Sequence, residues 1–184
     1  MDYDTFKEIP LFSSITVENL QKLLKCVNAH EKFYYAGEQI WLDHDTQLIG
    51  IVLSGKVALQ IDTYQGNIST LATLEYGNIF GETFVCAGEH NRTIHFEAVT
   101  DSRILLLDYS RVFHSCTLVC SFHHRLIENI AIEIAKKNFI LMMREEILSQ
   151  RTLREKILVY LHQLTSDNGV VKIPVNRNEM SYYI

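Results

Sequence analysis

No stretch of the 184 residues approaches the run of about 18 apolar residues that a bilayer-spanning helix needs, and the first ten, MDYDTFKEIP, are acidic with no apolar signal core. Neither a membrane partner nor export is expected, and the chain is read as cytoplasmic. An excess of positive charge is missing too. The formal net charge is -5, so the molecule as a whole repels nucleic acid and anionic lipid, and any DNA binding has to come from one segment. Cysteine is sparse: Cys26, Cys86, Cys116 and Cys120 show neither a CxxC pair nor the density of a disulfide-stapled secreted scaffold, so in a reducing compartment they are free thiols by default. His-x-His is absent, which argues against a metal-dependent cupin enzyme. His123 and His124 are adjacent and the other histidines are dispersed. No catalytic residue and no metal ligand set is expected.

What the chain does have is a concentration of turns. Seven of its eight glycines, Gly37, Gly50, Gly55, Gly66, Gly77, Gly81 and Gly88, fall between residues 37 and 88. Around and after them stand LIGIVL, KVALQID, STLATL, TIHFEAVT and RILLLDY, short runs rich in β-branched and apolar residues that predict strands of a β-roll, jelly roll or barrel. Ahead of the roll, Thr16 or Ser14 can cap a helix whose Leu20, Leu23, Leu24 and Val27 recur at helical spacing.

From about Phe122 to Ser149 there is neither glycine nor proline, and the segment reads as one helix roughly 40 Å long at about 1.5 Å per residue. Ile127, Ile134, Leu141 and Leu148 repeat every seven residues with Ile130 between the first two, an imperfect coiled-coil stripe interrupted by Lys137 and Arg144. The stripe fits two uses, packing on the helix's own domain or pairing two chains. The helix's length favours the homodimer, with Ile127, Ile130, Ile134, Leu141 and Leu148 as its contacts. A further helix, TLREKILVYLHQL, is followed by the short run VVKIP and by a third helix start, where Asn176 and Glu179 stand in capping-box spacing. Residues 151 to 184 carry five basic and three acidic side chains, a local excess opposite in sign to the rest of the chain.

The most specific stretch is GNIFGETFVCAGEHNRTIHFEA, Gly77 to Ala98. A glycine at 81 lets backbone approach a ligand closely, and a helix start offers N-H groups to an anion. Arg92, eleven residues after Gly81, brings a planar fork suited to phosphate, and Thr93 a hydroxyl. This stretch resembles the phosphate-binding cassette of cyclic nucleotide-binding domains. GIVLSGKVALQI before it and TLREKILVYL with VKIPVNRNEMSYYI after it resemble other parts of the bacterial Crp/Fnr family of transcription regulators, so the resemblance covers essentially the whole chain.

The resemblance implies an α+β protein: an effector-binding β-roll with N-terminal helix over residues 1–115, a dimerisation helix over 116–150, and over 151–184 a winged helix-turn-helix whose recognition helix is expected to lie past Ile184. The roll is of the double-stranded, jelly-roll-like, cyclic nucleotide-binding kind. The implied function is effector-responsive transcription regulation by a homodimer, with promoter DNA as the partner of a complete C-terminal domain. The implied effector is a small anion held by Gly81, Glu82, Arg92 and Thr93, with Glu82 accepting a ribose hydroxyl, and with Leu141 and Met142 as a further contact.

Two departures narrow this. Where cAMP receptors place a hydroxyl pair for the adenine, this chain reads FILMM, so cAMP itself is not expected to be the effector. Residues 1 to 25 contain no cysteine, which removes the ligands of the family's iron-sulfur sensor. Thiol-based redox sensing through Cys86, Cys116 and Cys120, and a stand-alone nucleotide-binding module, remain as alternative readings.

Overall fold

Short alternating runs punctuated by turns fold into a roll, and each run named above holds a strand. In chain order the elements are α1 (Tyr3–Phe6), a 3-10 turn (Pro10–Phe12), α2 (Val17–Cys26), β1 (His30–Tyr34), β2 (Gln39–Ile40), β3 (Leu48–Ser54), β4 (Val57–Asp62), β5 (Ile68–Leu74), β6 (Ile79–Phe80), α3 (Glu82–Ala87), β7 (Ile94–Ala98), β8 (Ser102–Asp108), α4 (Tyr109–His114), α5 (Ser121–Leu148) and α6 (Leu153–Gln163). This computed structural model describes residues 3–40, 47–88, 93–114, 121–165 and 171. Two compact units divide after Ile134, so the first takes in the start of α5 as well as the roll.

In the first unit, two four-stranded antiparallel sheets face each other, ordered β1-β8-β3-β6 and β2-β7-β4-β5. Tyr34, Val52, Phe80, Ile104 and Leu106 from one sheet meet Ile40, Val57, Phe96 and Ala98 from the other. The outer face of the first sheet is covered as well: Ile49, Ile51, Leu53, Leu105 and Leu107 pack under Phe6, Phe12, Leu20, Leu23 and Leu24 of the N-terminal helices. β3 and β8 are thus buried on both faces, which is why LIGIVL and RILLL read as nearly continuous apolar runs rather than alternating ones. Thr16 is the residue that caps α2, accepting from the Asn19 N-H at 3.4 Å, while Ser14 holds a positive φ just before it.

The start of α5 closes the same core. Leu126 and Ile130 are buried, and Ile127 and Ile134 pack against the N-terminal helices and the first sheet. Buried Asn129 donates its amide to the carbonyls of Leu11 (2.8 Å) and Ser13 (3.0 Å), and buried His123 donates from Nε2 to the carbonyl of Arg111 at 3.1 Å. This corrects the sequence reading of the heptad stripe. Ile130 is 1% exposed within one chain and lies on no free surface, while Ile127 and Ile134 are partly buried against the same core. A seven-residue spacing keeps side chains on one face but does not say whose surface that face meets.

In the second unit, α6 packs on the later part of α5. Gln163 donates to the Met143 carbonyl (3.0 Å) and to Glu146 Oε2 (2.8 Å), and Ile147 and Tyr160 are buried. Thr152 and Glu155 form a reciprocal capping box at the start of α6. Val171 of the VVKIP run makes an isolated antiparallel bridge with Thr165. The expected third helix with Asn176 and Glu179 lies outside the described residues. No helix among the described residues is long and apolar enough to cross a membrane.

Candidate functional site

β6 delivers the chain to Gly81, whose φ of 82° is left-handed and favours glycine. At Gly50 on β3, directly opposite Phe80, a Cβ would overlap the Phe80 ring, so the absent side chain is what lets that ring lie flat in the core. Phe80 then packs on Phe96 of β7 at 4.8 Å between centroids, and Phe84 of α3 meets the same Phe96 edge to face at 6.2 Å. Three rings therefore fix the short helix to the space between the sheets.

Glu82, the first residue of α3, is 1% exposed, and its Oε1 accepts from the Thr83 hydroxyl at 3.2 Å. A carboxylate withdrawn this far from water is costly to keep without hydrogen-bond donors, and the Thr83 hydroxyl is one of them. α3 has only six residues and ends at Gly88, a second left-handed glycine. So brief a helix concentrates little dipole at its start, and the anion argument rests on the cation at position 92 more than on the helix.

Thr93 stands immediately before β7, exposed, with its carbonyl accepting from the Asp62 N-H at 2.8 Å and so joining the chain's return to β4. Arg92 lies outside the described residues. Leu141 and Met142 belong to the second unit, where both are 62% exposed. Cys86, on the exposed side of α3, has its thiol pushed above the ordinary value, first by partial burial of the sulfur and then by the nearby Glu82 carboxylate. A raised thiol is a poorer nucleophile at neutral pH, the reverse of what a redox-sensing cysteine needs. Cys116 and Cys120 lie outside the described residues. Among the described residues no group of three or more His, Cys, Asp or Glu side chains is placed to hold a metal ion.

Phe80, Phe84, Phe96 and Gly50 were not singled out by sequence reasoning. The alternation Ile94, Phe96, Ala98 in TIHFEAVT marks Phe96 as inward-facing, but the pairing of Gly50 with Phe80 depends on strand register.

Residues 31–116, which hold most of the two facing antiparallel sheets, the left-handed Gly81 and the buried Glu82, match the family described as cyclic nucleotide-binding domain. The chain carries that domain within an α+β architecture, and its structural neighbours are Crp/Fnr-family transcription regulators. The catabolite activator protein of Thermus thermophilus is similar to it at 26% identity and a TM-score of 0.60, over 76% of this chain and 63% of that one. This chain therefore spans somewhat less than two thirds of the Thermus protein. A cyclic nucleotide-binding domain from Methylobacillus flagellatus matches in fold with a TM-score of 0.67 at 15% identity, covering 82% of this chain and 86% of its own. CLP of Xanthomonas campestris, titled a c-di-GMP responsive global regulator, matches with a TM-score of 0.61 at 17% identity, over 90% of this chain and 83% of its own. No curated protein matches the sequence.

Proposed function

We propose that the chain is the sensing part of a homodimeric transcription regulator whose roll binds a small anionic effector, and whose complete form acts on promoter DNA. The observation that carries the reading is the buried Glu82 carboxylate immediately behind the left-handed Gly81, inside the segment that matches the cyclic nucleotide-binding domain. In this reading Arg92 pairs with the effector's phosphate or carboxylate through its guanidinium fork, Thr93 adds a hydroxyl, and Glu82 accepts from a ligand hydroxyl. The dimer is built on the exposed apolar residues of the second unit, Leu141 and Leu148 among them. A redox-sensing role draws no support from Cys86, whose raised thiol opposes it.

The test is calorimetry of the wild type and of Arg92→Ala with cAMP, cGMP, c-di-GMP and a panel of anionic metabolites. Losing a charge-assisted contact weakens binding by on the order of 2 kcal/mol, roughly 30-fold. The effector is expected to lose at least that much in Arg92→Ala. A ligand whose affinity ignores Arg92 would remove the site from consideration.

A further inference from the structure

The N-terminal segment is hydrogen-bonded at one end to the chain entering β6 and at the other to α5. At the first end the Tyr76 hydroxyl donates to the Thr5 carbonyl of α1 at 2.8 Å. Gly77 follows with a left-handed φ of 81°, and Pro10 of the 3-10 turn stands against it, so that a Cβ at position 77 would lie 3.4 Å from Pro10 Cδ. Gly77 in turn donates to the Val52 carbonyl of β3 at 2.9 Å, and β6 begins two residues later and leads to Gly81 and Glu82. At the second end buried Asn129 of α5 directs its amide nitrogen to the carbonyls of Leu11 and Ser13, one hydrogen for each.

Between the two ends the segment is closed by its own backbone bonds, Glu8 to Thr5, Ile9 to Phe6, Phe12 to Ile9 and Ser13 to Pro10. Phe6, Ile9, Leu11 and Phe12 are each at most 2% exposed, and the rings of Phe6 and Phe12 stack at 6.5 Å. Matter packed this closely has low compressibility and passes on a displacement. Apolar packing alone is not directional, whereas the hydrogen bonds at the ends fix which groups move together.

We propose that residues 5–13 form a coupling strut, with Tyr76 and Asn129 as the positioning residues at its ends. A shift of the turn that enters β6 is passed to α5, and a shift of α5 is passed back to the turn. The use of such a strut rests on the reading of the roll as an effector site. Its existence is tested without any ligand, so the strut can fail while the site stands, and calorimetry can remove the site while the strut stands.

A chain of contacts becomes coupling only when a change at one end is felt at the other. The experiment is hydrogen exchange on the full chain in the wild type, Tyr76→Phe, Asn129→Leu and the double variant. Tyr76→Phe keeps the ring and removes one hydrogen bond, an ordinary one being worth about fivefold in an equilibrium. It should speed exchange of the Phe12 and Ser13 amides and of the α5 turn after Asn129 by at least about threefold. Asn129→Leu should do the same to Gly77 and Asn78. Amides of β4 and β7 in the other sheet should keep wild-type rates, and the double variant should accelerate the 3-10 turn by less than the product of the two single effects. Acceleration confined to the substituted end, an equal rise throughout the roll, or a full product in the double variant each overturns the strut. If circular dichroism shows Asn129→Leu to be unfolded, Tyr76→Phe decides alone: unchanged exchange at Phe12, Ser13 and α5 refutes the proposal.

Discussion

Gly50 and Gly81 show how the same residue type serves a site in two ways. At Gly81 the backbone itself requires the absence of a side chain, because φ is 82°. At Gly50 the backbone would tolerate one, but the Phe80 ring fills the space and Phe96 blocks the ring from yielding. Gly50→Ala should therefore destabilise the roll by about 1–3 kcal/mol, as expected for overpacking a close-packed core. Urea unfolding followed by circular dichroism measures it, and a variant within a few tenths of a kcal/mol of the wild type would show that Phe80 moves freely. Gly81 and Glu82 were legible in the sequence because their chemistry is local, a glycine and an acid at a turn. Gly50 was not, since its importance is created by a residue thirty positions away that the strand pairing brings opposite it.

Elements were more legible than their surroundings. The runs predicted as strands are strands, and the capped α2, the long α5 and α6 all form. What periodicity left open was which surface each apolar face meets. The stripe on α5 was read as one interface, yet its first part, Ile127, Ile130 and Ile134, closes the core of the roll, while Leu141 and Leu148 remain exposed. A spacing of seven is satisfied by either arrangement, and only the position of α5 against the N-terminal helices separates them. The start of α6 carried a signal that went unused: Thr152 with Glu155 three residues on is the capping-box pattern, and both reciprocal hydrogen bonds form, at 3.2 and 3.0 Å. Thr152→Ala should cost about 1 kcal/mol, and the loss should stay within α6. Hydrogen exchange checks this. The first turn of α6 should exchange faster while the amides of β3 and β8 keep their protection, and faster exchange throughout the roll would mean that α6 supports more than the second unit.

At the scale of the whole molecule, the second unit carries several large apolar side chains that are exposed in the single chain. Phe139, Ile140, Leu141 and Met142 are each more than 60% exposed, and Leu148, Leu153 and Leu158 are 43%, 65% and 56% exposed. Single exposed leucines are ordinary, but Leu141 and Leu148 lie one heptad apart on one face of α5, and an exposed apolar stripe suits a surface that a partner covers. A second copy of the chain is the occupant the proposed function requires, and a net charge of -5 shared by each copy is too small to oppose burial of several large side chains. The substitution that tests this must avoid the part of α5 that serves its own core. Ile130→Glu would put a charge into a site that is 1% exposed and unfold the roll, giving an ambiguous loss of dimer. Leu141→Glu with Leu148→Glu changes only exposed positions, one heptad apart on one face of α5. The wild type is expected to be dimeric by light scattering at low micromolar concentration and the double variant monomeric, and the urea midpoint of the roll should be the same in both. A variant that stays dimeric places the interface elsewhere, and a wild type that is itself monomeric would leave the exposed face to a different partner.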